Sequence, residues 1–370
     1  MMKSHLAHMI RRQAQRYGTR EVFRYRNKDS GTFQSMSWNE FIAEVDRVAA
    51  ALHDLGCRQG ENIGIISANR PEWLIADMAI HTLGGVVVPF FANIAKEQMR
   101  PMVEETDMRL LFAGNREQLE KGLWLIENSC LETVVLFDEA ESNDISRCLS
   151  FRALKPAAAE EVPALIEQLL NRVSESDLAT IIYTSGTTGE PKGAMLGHDN
   201  FMTTFPYHDR RLNVTEDDVS LCFLPLSHIF ERSWSYYMLH CGVVNVMLEN
   251  PREVIDVLPV AKPTLMCTVP RFFDKTYEGI MKTYITWPAY KRRVFDWSLR
   301  LGYKRIEYER RNKPLPPAIS IKTAIAEKLV YSRLREVLGG RVKFFPCSGA
   351  AINPKLLRFF HAAGICVLYG

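Results

Sequence analysis

The 370-residue sequence has no cysteine pair at metal-ligand spacing, no marked excess of either charge, no long apolar run and no internal repeat. Each absence removes a class of function. The eight cysteines, Cys57, Cys130, Cys148, Cys222, Cys241, Cys267, Cys347 and Cys366, stand singly among apolar neighbours. That usage excludes a disulfide scaffold or a zinc ribbon and reads as the reduced thiols of a cytoplasmic protein. Lys and Arg total 46 against 43 Asp and Glu, a net charge of +3, and a nucleic-acid partner is not expected from so even a balance. Met9 and Ile10 run directly into Arg11 and Arg12, unlike the apolar core of a secretory leader. No later segment stays apolar for the roughly 20 residues that a spanning helix needs. Any membrane contact is therefore expected to be peripheral, at the inner face.

What is present is enough apolar content, 47%, for one large core or two moderate ones. Strand and helix signals alternate, as in a sheet with crossover helices. Trp38, Phe41, Ile42, Val45, Val48, Leu52 and Leu55 recur at helical spacing, with Ser37 and Glu40 placed as a capping box and Gly56 as the stop. The run from Asn62 to Ser67 reads as a buried strand, Asn69 and Pro71 open a helix, and Val86-Val87-Val88-Pro89 forms the next strand. Together they make a βαβ unit, expected to be right-handed. From Glu139 to Val162 the chain is richer in Ala, Glu, Ser and Pro and reads as an exposed connection. The expected division is a first αβ subdomain over residues 1–175 and a second over 176–370. Between Tyr290 and Pro314 lie nine Lys and Arg residues, among them Lys291, Arg300 and Arg311, against Asp296, Glu307 and Glu309. This stretch is either a solvated helix face or a contact for anionic phosphates.

The most informative segment is Tyr183-Thr-Ser-Gly-Thr-Thr-Gly-Glu-Pro-Lys-Gly193, placed between a strand (178–183) and a helix expected to start near His198. Gly186, Gly189 and Gly193 let backbone N–H groups approach phosphate oxygens, and Thr184, Ser185, Thr187 and Thr188 add hydroxyl donors. Lys192 adds a mobile positive charge. Pro191 before that lysine and Gly193 after it exclude a Walker A loop, which requires Gly-Lys-Ser/Thr.

That segment resembles the phosphate-binding signature of the adenylate-forming superfamily, which includes acyl-CoA synthetases, luciferases and the adenylation domains of peptide synthetases. Leu224-Pro-Leu-Ser-His228-Ile-Phe-Glu-Arg232 and Thr268-Val-Pro-Arg-Phe-Phe-Asp-Lys275 are similar to segments of the long-chain fatty acid branch. Cys347-Ser-Gly-Ala-Ala351 and the terminal Tyr369-Gly370 resemble its adenine-binding segments. The resemblance implies an α/β fold, the large N-terminal domain of such an enzyme, with mixed and parallel sheets flanked by helices in two αβ subdomains. The implied activity is an AMP-forming long-chain fatty acid–CoA ligase. It takes ATP, Mg²⁺, CoA and a long-chain fatty acid, converts the acid to an acyl-adenylate, and passes the acyl group to CoA. By the same resemblance Thr184, Ser185, Gly186, Thr187, Thr188, Gly189 and Lys192 hold the phosphates. Gly349, Ala350, Ala351, Tyr369 and Gly370 hold the adenine, and His228 lies beside the attacking carboxylate. No residue is singled out as a metal ligand.

His228 and the Ser-Gly-Ala turn each have a plainer reading, as a satisfied core histidine and a buried turn. Ile229, Phe230, Trp234, Tyr236 and Tyr237 suit an acyl tunnel and equally suit an ordinary core helix. The family pattern continues past Tyr369-Gly370 into a threonine, a Mg²⁺-associated glutamate and a small lysine-bearing C-terminal domain. Those parts are absent here, so the chain alone is expected to turn over no acyl-CoA. Two other functions fit the same residues: an adenylating ligase for a different carboxylic acid, and a non-catalytic module that binds nucleotide or acyl chains.

Overall fold

The computed structural model describes residues 5–27, 30–138, 147–185 and 191–370. They fall into two compact units. The first takes in residues up to Asp217 together with Phe223–Asn250; the second takes in Asp218–Cys222 and Pro251–Gly370.

In the first unit a seven-stranded sheet runs in the spatial order Cys148–Ser150, Thr133–Leu136, Leu110–Ala113, Asn62–Ile66, Val86–Phe90, Leu178–Ser185, Pro191–Gly197. Every pairing is parallel except the last, which is antiparallel. The central strands read Ile63-Gly-Ile-Ile66 and Val86-Val-Val-Pro-Phe90 and are buried almost throughout. This is the composition of a parallel strand covered on both faces. Asn62–Ile66 and Val86–Phe90 pair residue for residue, joined by the helix Pro71–Leu83, so the βαβ unit forms as expected. A smaller sheet pairs Glu21–Arg26 parallel with Val244–Met247 and antiparallel with Phe33–Ser37.

The helix Trp38–Asp54 starts at the capping box: Ser37 N donates to Glu40 Oε2 at 2.7 Å and Glu40 N to Ser37 Oγ at 3.3 Å. Trp38, Phe41, Val45, Val48 and Leu52 are fully buried, whereas Leu55, past the last helical residue, is 46% exposed. Two other expectations are corrected. Asn69 does not cap the helix at Pro71; that place is taken by Arg70, with no side-chain bond, and proline at the first turn needs no donor. Within the connection expected over 139–162, the part from Cys148 to Ser150 is an edge strand, and Phe151 and Leu154 are buried beside it. Residues 139–146 lie outside the described ones. The division expected at 175/176 falls inside the first unit, because the strand Leu178–Ser185 joins the same sheet through Val87 and Thr180. None of the eight cysteines is in a disulfide, and five of them are buried. No described helix is long and apolar enough to cross a membrane.

The second unit has the strands Phe345–Cys347 and Val367–Tyr369 side by side and parallel. Leu265 bridges to Ser220 and to Phe344, and Thr268 to Cys347. Long helices surround them: Pro270–Thr286, Ala289–Arg310, Pro317–Ala326 and Pro354–Ala362. The basic stretch forms the 22-residue helix, which buries Phe295, Ser298, Leu301 and Gly302. Gly302 is where it meets the helix Pro354–Ala362, since a Cβ there would lie 2.2 Å from the Ala362 carbonyl oxygen. Backbone cannot yield as a side chain can. Gly302→Ala should therefore cost about 1–3 kcal/mol despite alanine's better helix propensity, read as a lower urea midpoint at unchanged slope.

Candidate functional site

The segment that reads as a phosphate grip is built into an antiparallel hairpin. Leu178–Ser185 pairs with Pro191–Gly197 in the register Ile181↔Met195, Tyr183↔Gly193, Thr184↔Lys192, Ser185↔Pro191. Gly186, Thr187, Thr188 and Gly189 lie between the strands, outside the described residues. Lys192, expected in a loop, is instead a strand residue. Its carbonyl accepts a hydrogen bond from Thr184 Oγ1 at 3.5 Å. Both residues are exposed, and among the described residues Lys192 makes no ion pair. An exposed cation without an ion pair among the described residues, held by strand pairing next to a glycine-rich segment, suits a polyanion. Two contacts steady the first strand. Tyr183 Oη donates to Glu105 Oε2 at 2.8 Å, and Thr180 Oγ1 donates to the Val87 carbonyl at 2.6 Å.

His228 opens the helix Ile229–Cys241 as its N-cap, with Nδ1 accepting from Phe230 N at 3.2 Å. A neutral ring whose Nδ1 accepts carries its proton on Nε2. The ring is exposed at the surface, yet partial desolvation holds its pKa below the ordinary histidine value. With Nδ1 taken by the Phe230 amide, the neutral ring leaves its Nε2–H as a donor, an arrangement that suits an oxygen anion. The turn before it is fixed from two sides. Asn69 Nδ2 donates to the Leu224 carbonyl at 2.7 Å and its Oδ1 accepts from Leu226 N at 3.0 Å. Glu231, fully buried, accepts from Leu224 N at 3.2 Å.

One turn further on, Arg232 is fully buried. It donates to Asp77, to Tyr236 Oη at 2.7 Å and to Thr180 Oγ1 at 2.7 Å, while Tyr236 Oη donates to Asp77 Oδ2 at 2.6 Å. The guanidinium also lies over the Trp73 ring, 5.2 Å from its centroid. This network ties the helix of His228 to the strand that enters the hairpin. Trp234, Tyr236 and Tyr237 are core residues, which favours the plainer of the two readings of that aromatic run.

In the second unit, Gly349, Ala350 and Ala351 follow the strand Phe345–Cys347 and are exposed, and Tyr369 and Gly370 end the neighbouring strand. The structure brings these groups together: Gly370 N donates to the Cys347 carbonyl at 3.2 Å and Tyr369 Oη to the Ala350 carbonyl at 3.3 Å. Gly349 has φ +89°, a conformation that favours glycine, and a Cβ there would meet only Val269 Cγ1 at 3.8 Å. The result is an open backbone shelf beside a half-exposed aromatic ring, which suits a flat heterocycle. Among the described residues, no group of three or more His, Cys, Asp or Glu side chains could hold a metal ion.

Sequence reasoning passes over Asp77, reads Asn69 only as a helix opener, and includes Glu231 and Arg232 only as the end of the segment Leu224–Arg232. Asp77 is the one acid inside the apolar run Trp73-Leu-Ile-Ala-Asp-Met-Ala-Ile80, and Glu231-Arg232 is the charged pair of a helix whose other polar residues are Ser233, Ser235 and His240. Single charges in all-round apolar helices mark buried ion pairs.

The chain matches the AMP-binding enzyme family over residues 10–370. Fatty acyl-CoA synthetase A of Dictyostelium discoideum is 28% identical over 341 residues, which cover 91% of this chain and 49% of that protein. The long-chain-fatty-acid–CoA ligase FadD15 of Mycobacterium tuberculosis is 30% identical over 351 residues, covering 94% of this chain and 57% of that protein. The chain thus spans about half the length of the curated relatives it matches. In fold it is similar to the inhibitor-bound N-terminal domain of FACL13 from Mycobacterium tuberculosis, with a TM-score of 0.67 at 16% identity, covering 100% of this chain and 75% of that one. The α/β architecture of that N-terminal domain and the match across nearly the whole sequence agree, and the chain belongs to the AMP-binding enzyme family.

Proposed function

We propose that this chain carries the nucleotide- and acid-binding part of an AMP-forming long-chain fatty acid–CoA ligase. The observation that carries the reading is Lys192, an exposed cation with no ion pair among the described residues, set by strand pairing against Thr184 beside the glycine-rich segment. The names of the similar curated proteins, fatty acyl-CoA synthetases and long-chain fatty acid–CoA ligases, support the choice of substrate.

A carboxylate is a poor acyl donor because thiol attack would have to expel oxide. In the proposed reaction its oxygen attacks the α-phosphorus of ATP, the bond to the bridging oxygen breaks, and pyrophosphate leaves. The CoA thiolate then attacks the acyl carbon and AMP departs. The first step needs charge neutralisation and alignment more than covalent help. Backbone amides and hydroxyls of residues 184–189, with the Lys192 ammonium, hold the β- and γ-phosphates. The Nε2–H of His228 steadies the attacking carboxylate or the oxygen on which charge grows, and Asn69 fixes the turn that aims it. The 349–351 shelf and Tyr369 take the adenine. Mg²⁺ is commonly held by phosphates, waters and one or two carboxylates, so a protein cage of ligands is not required for it to neutralise the triphosphate.

Lys192→Ala should weaken ATP binding by this chain about 10- to 100-fold, the worth of one charge-assisted bond of about 1.5–3 kcal/mol. Calorimetric titration reads it. In the whole protein, palmitate-dependent exchange of pyrophosphate into ATP should fall with the same substitution. Unchanged affinity, or exchange supported by benzoate or amino acids and not by palmitate, would overturn the reading.

A further inference from the structure

The second unit contains a cavity of about 580 Å³ that shares no residue with the candidate site. Its walls come from the helix Pro270–Thr286, from Ala289–Arg310, and from a π-helical turn over Glu327–Tyr331. Trp287, Phe295, Leu329 and Leu334 supply apolar surface, and among the described residues Lys275, Lys291 and Arg333 are the only charged ones that line it. No acid faces these cations from the lining, and among the described residues none of the three makes an ion pair or a side-chain hydrogen bond. Their neighbours differ: Arg335 pairs with Glu327, Arg358 with Glu307 at 3.1 Å, and Arg305 with Glu309 at 3.4 Å. Leu329 is 48% exposed, so part of the apolar wall faces water. The π turn that carries Leu329 and Val330 is a rare geometry found frequently at functional sites.

An apolar cavity within the 300–1,000 Å³ typical of small-molecule sites, bordered by unpaired cations, matches one ligand chemistry: a long alkyl tail with a single anionic head. We propose that this cavity binds a monomeric long-chain carboxylate as a second ligand, with the tail against Trp287 and Phe295 and the carboxylate beside Lys275, Lys291 and Arg333. The ligand class follows from the cavity's own chemistry and does not depend on the proposed ligase reaction. Gly279 lines the cavity, and a Cβ there would meet nothing within 4 Å. A large side chain at 279 fills the space without straining the backbone.

The test uses this chain with dibrominated stearate below its micelle concentration, since bromine quenches an indole in contact with it. Saturable quenching is expected, with its main part lost in Trp287→Phe. It should be abolished by Gly279→Phe and unchanged by Lys192→Ala, which separates this site from the nucleotide reading. Lys275→Glu with Arg333→Glu should weaken the acid on the order of tenfold, because two cations beside the carboxylate become anions. The same pair should leave the matching bromo-alcohol unaffected. Circular dichroism melts matching wild type show that the variants fold, and Gly279→Ala, which fills little space, should bind normally. The proposal is overturned if acid and alcohol bind equally, if Gly279→Phe quenches like wild type, or if Lys192→Ala removes the signal. Quenching only when the brominated chain is part of an anionic vesicle also overturns it, and assigns this face to a lipid surface.

Discussion

Lowering the pH from 7 to 5 should unfold the first compact unit before its carboxylates titrate. His5, His81 and His198 are all fully buried there, with ring centroids 5.6 Å apart for His5 and His198 and 5.0 Å for His81 and His198. Burial is the main cause that pushes the pKa of His5 down to about 3 and that of His198 to about 4, and it holds His81 well below the usual value. Other charges face the cluster. Arg232 lowers His81 and His198, and His8 and Arg11 lower His5; Asp177 and Asp199 act the other way on His198. Each ring has a lower pKa folded than unfolded, so as pH falls the unfolded chain takes up protons first. The stability is intact above the unfolded value near 6.5 and is lost downward toward the folded values. Each ring costs about 1.4 kcal/mol per pH unit in that window. At pH 5 His5 and His198 amount to about 4 kcal/mol, a large share of the whole stability of an ordinary domain, and His81 acts in the same direction. Urea midpoints measured by circular dichroism between pH 7.5 and 5 should fall steadily. A flat profile down to pH 5, with loss only in the carboxylate range, would show that these rings are not held neutral.

The first unit was largely legible from local pattern. The capping box at Ser37, the apolar strands around Ile65 and Val88, and proline at the first turn of Pro71–Leu83 act within a few residues, and each formed as read. What the sequence concealed is long-range. Pro191–Gly197 reads as loop because Pro191 and Gly193 are poor strand formers, yet pairing with an existing strand overrides propensity. Asn69 precedes a proline and invites an N-cap reading. Its partners, Leu224 and Leu226, are more than 150 residues away. Cys148–Ser150 is too short to announce itself and becomes a strand because Thr133–Leu136 offers it an edge. Of the candidate site, the segments were legible and their geometry was not: nothing local says that Lys192 stands opposite Thr184 or that Tyr369 reaches Ala350.

Arg232→Ala should destabilise the first unit by about 3–5 kcal/mol, because it leaves the Asp77 carboxylate buried without its cation. Asp77, Arg232, Tyr236 and Thr180 are all fully buried, and the guanidinium serves the first, third and fourth at once. A lysine has no planar fork to reach three acceptors, so Arg232→Lys should recover only part of the loss. The ion pair is still a poor source of net stability, since desolvating both charges offsets much of their attraction. Asp77→Leu with Arg232→Met should therefore return close to the wild-type urea midpoint. Recovery of the fold need not restore the site. The apolar pair lacks the hydrogen bond from Arg232 to Thr180, in the strand that precedes the glycine-rich segment. The double variant is expected to be stable yet weaker in ATP binding, whereas a role limited to packing would restore both. An Arg232→Ala protein with a midpoint within experimental error of wild type would mean that the carboxylate of Asp77 is not charged in the fold.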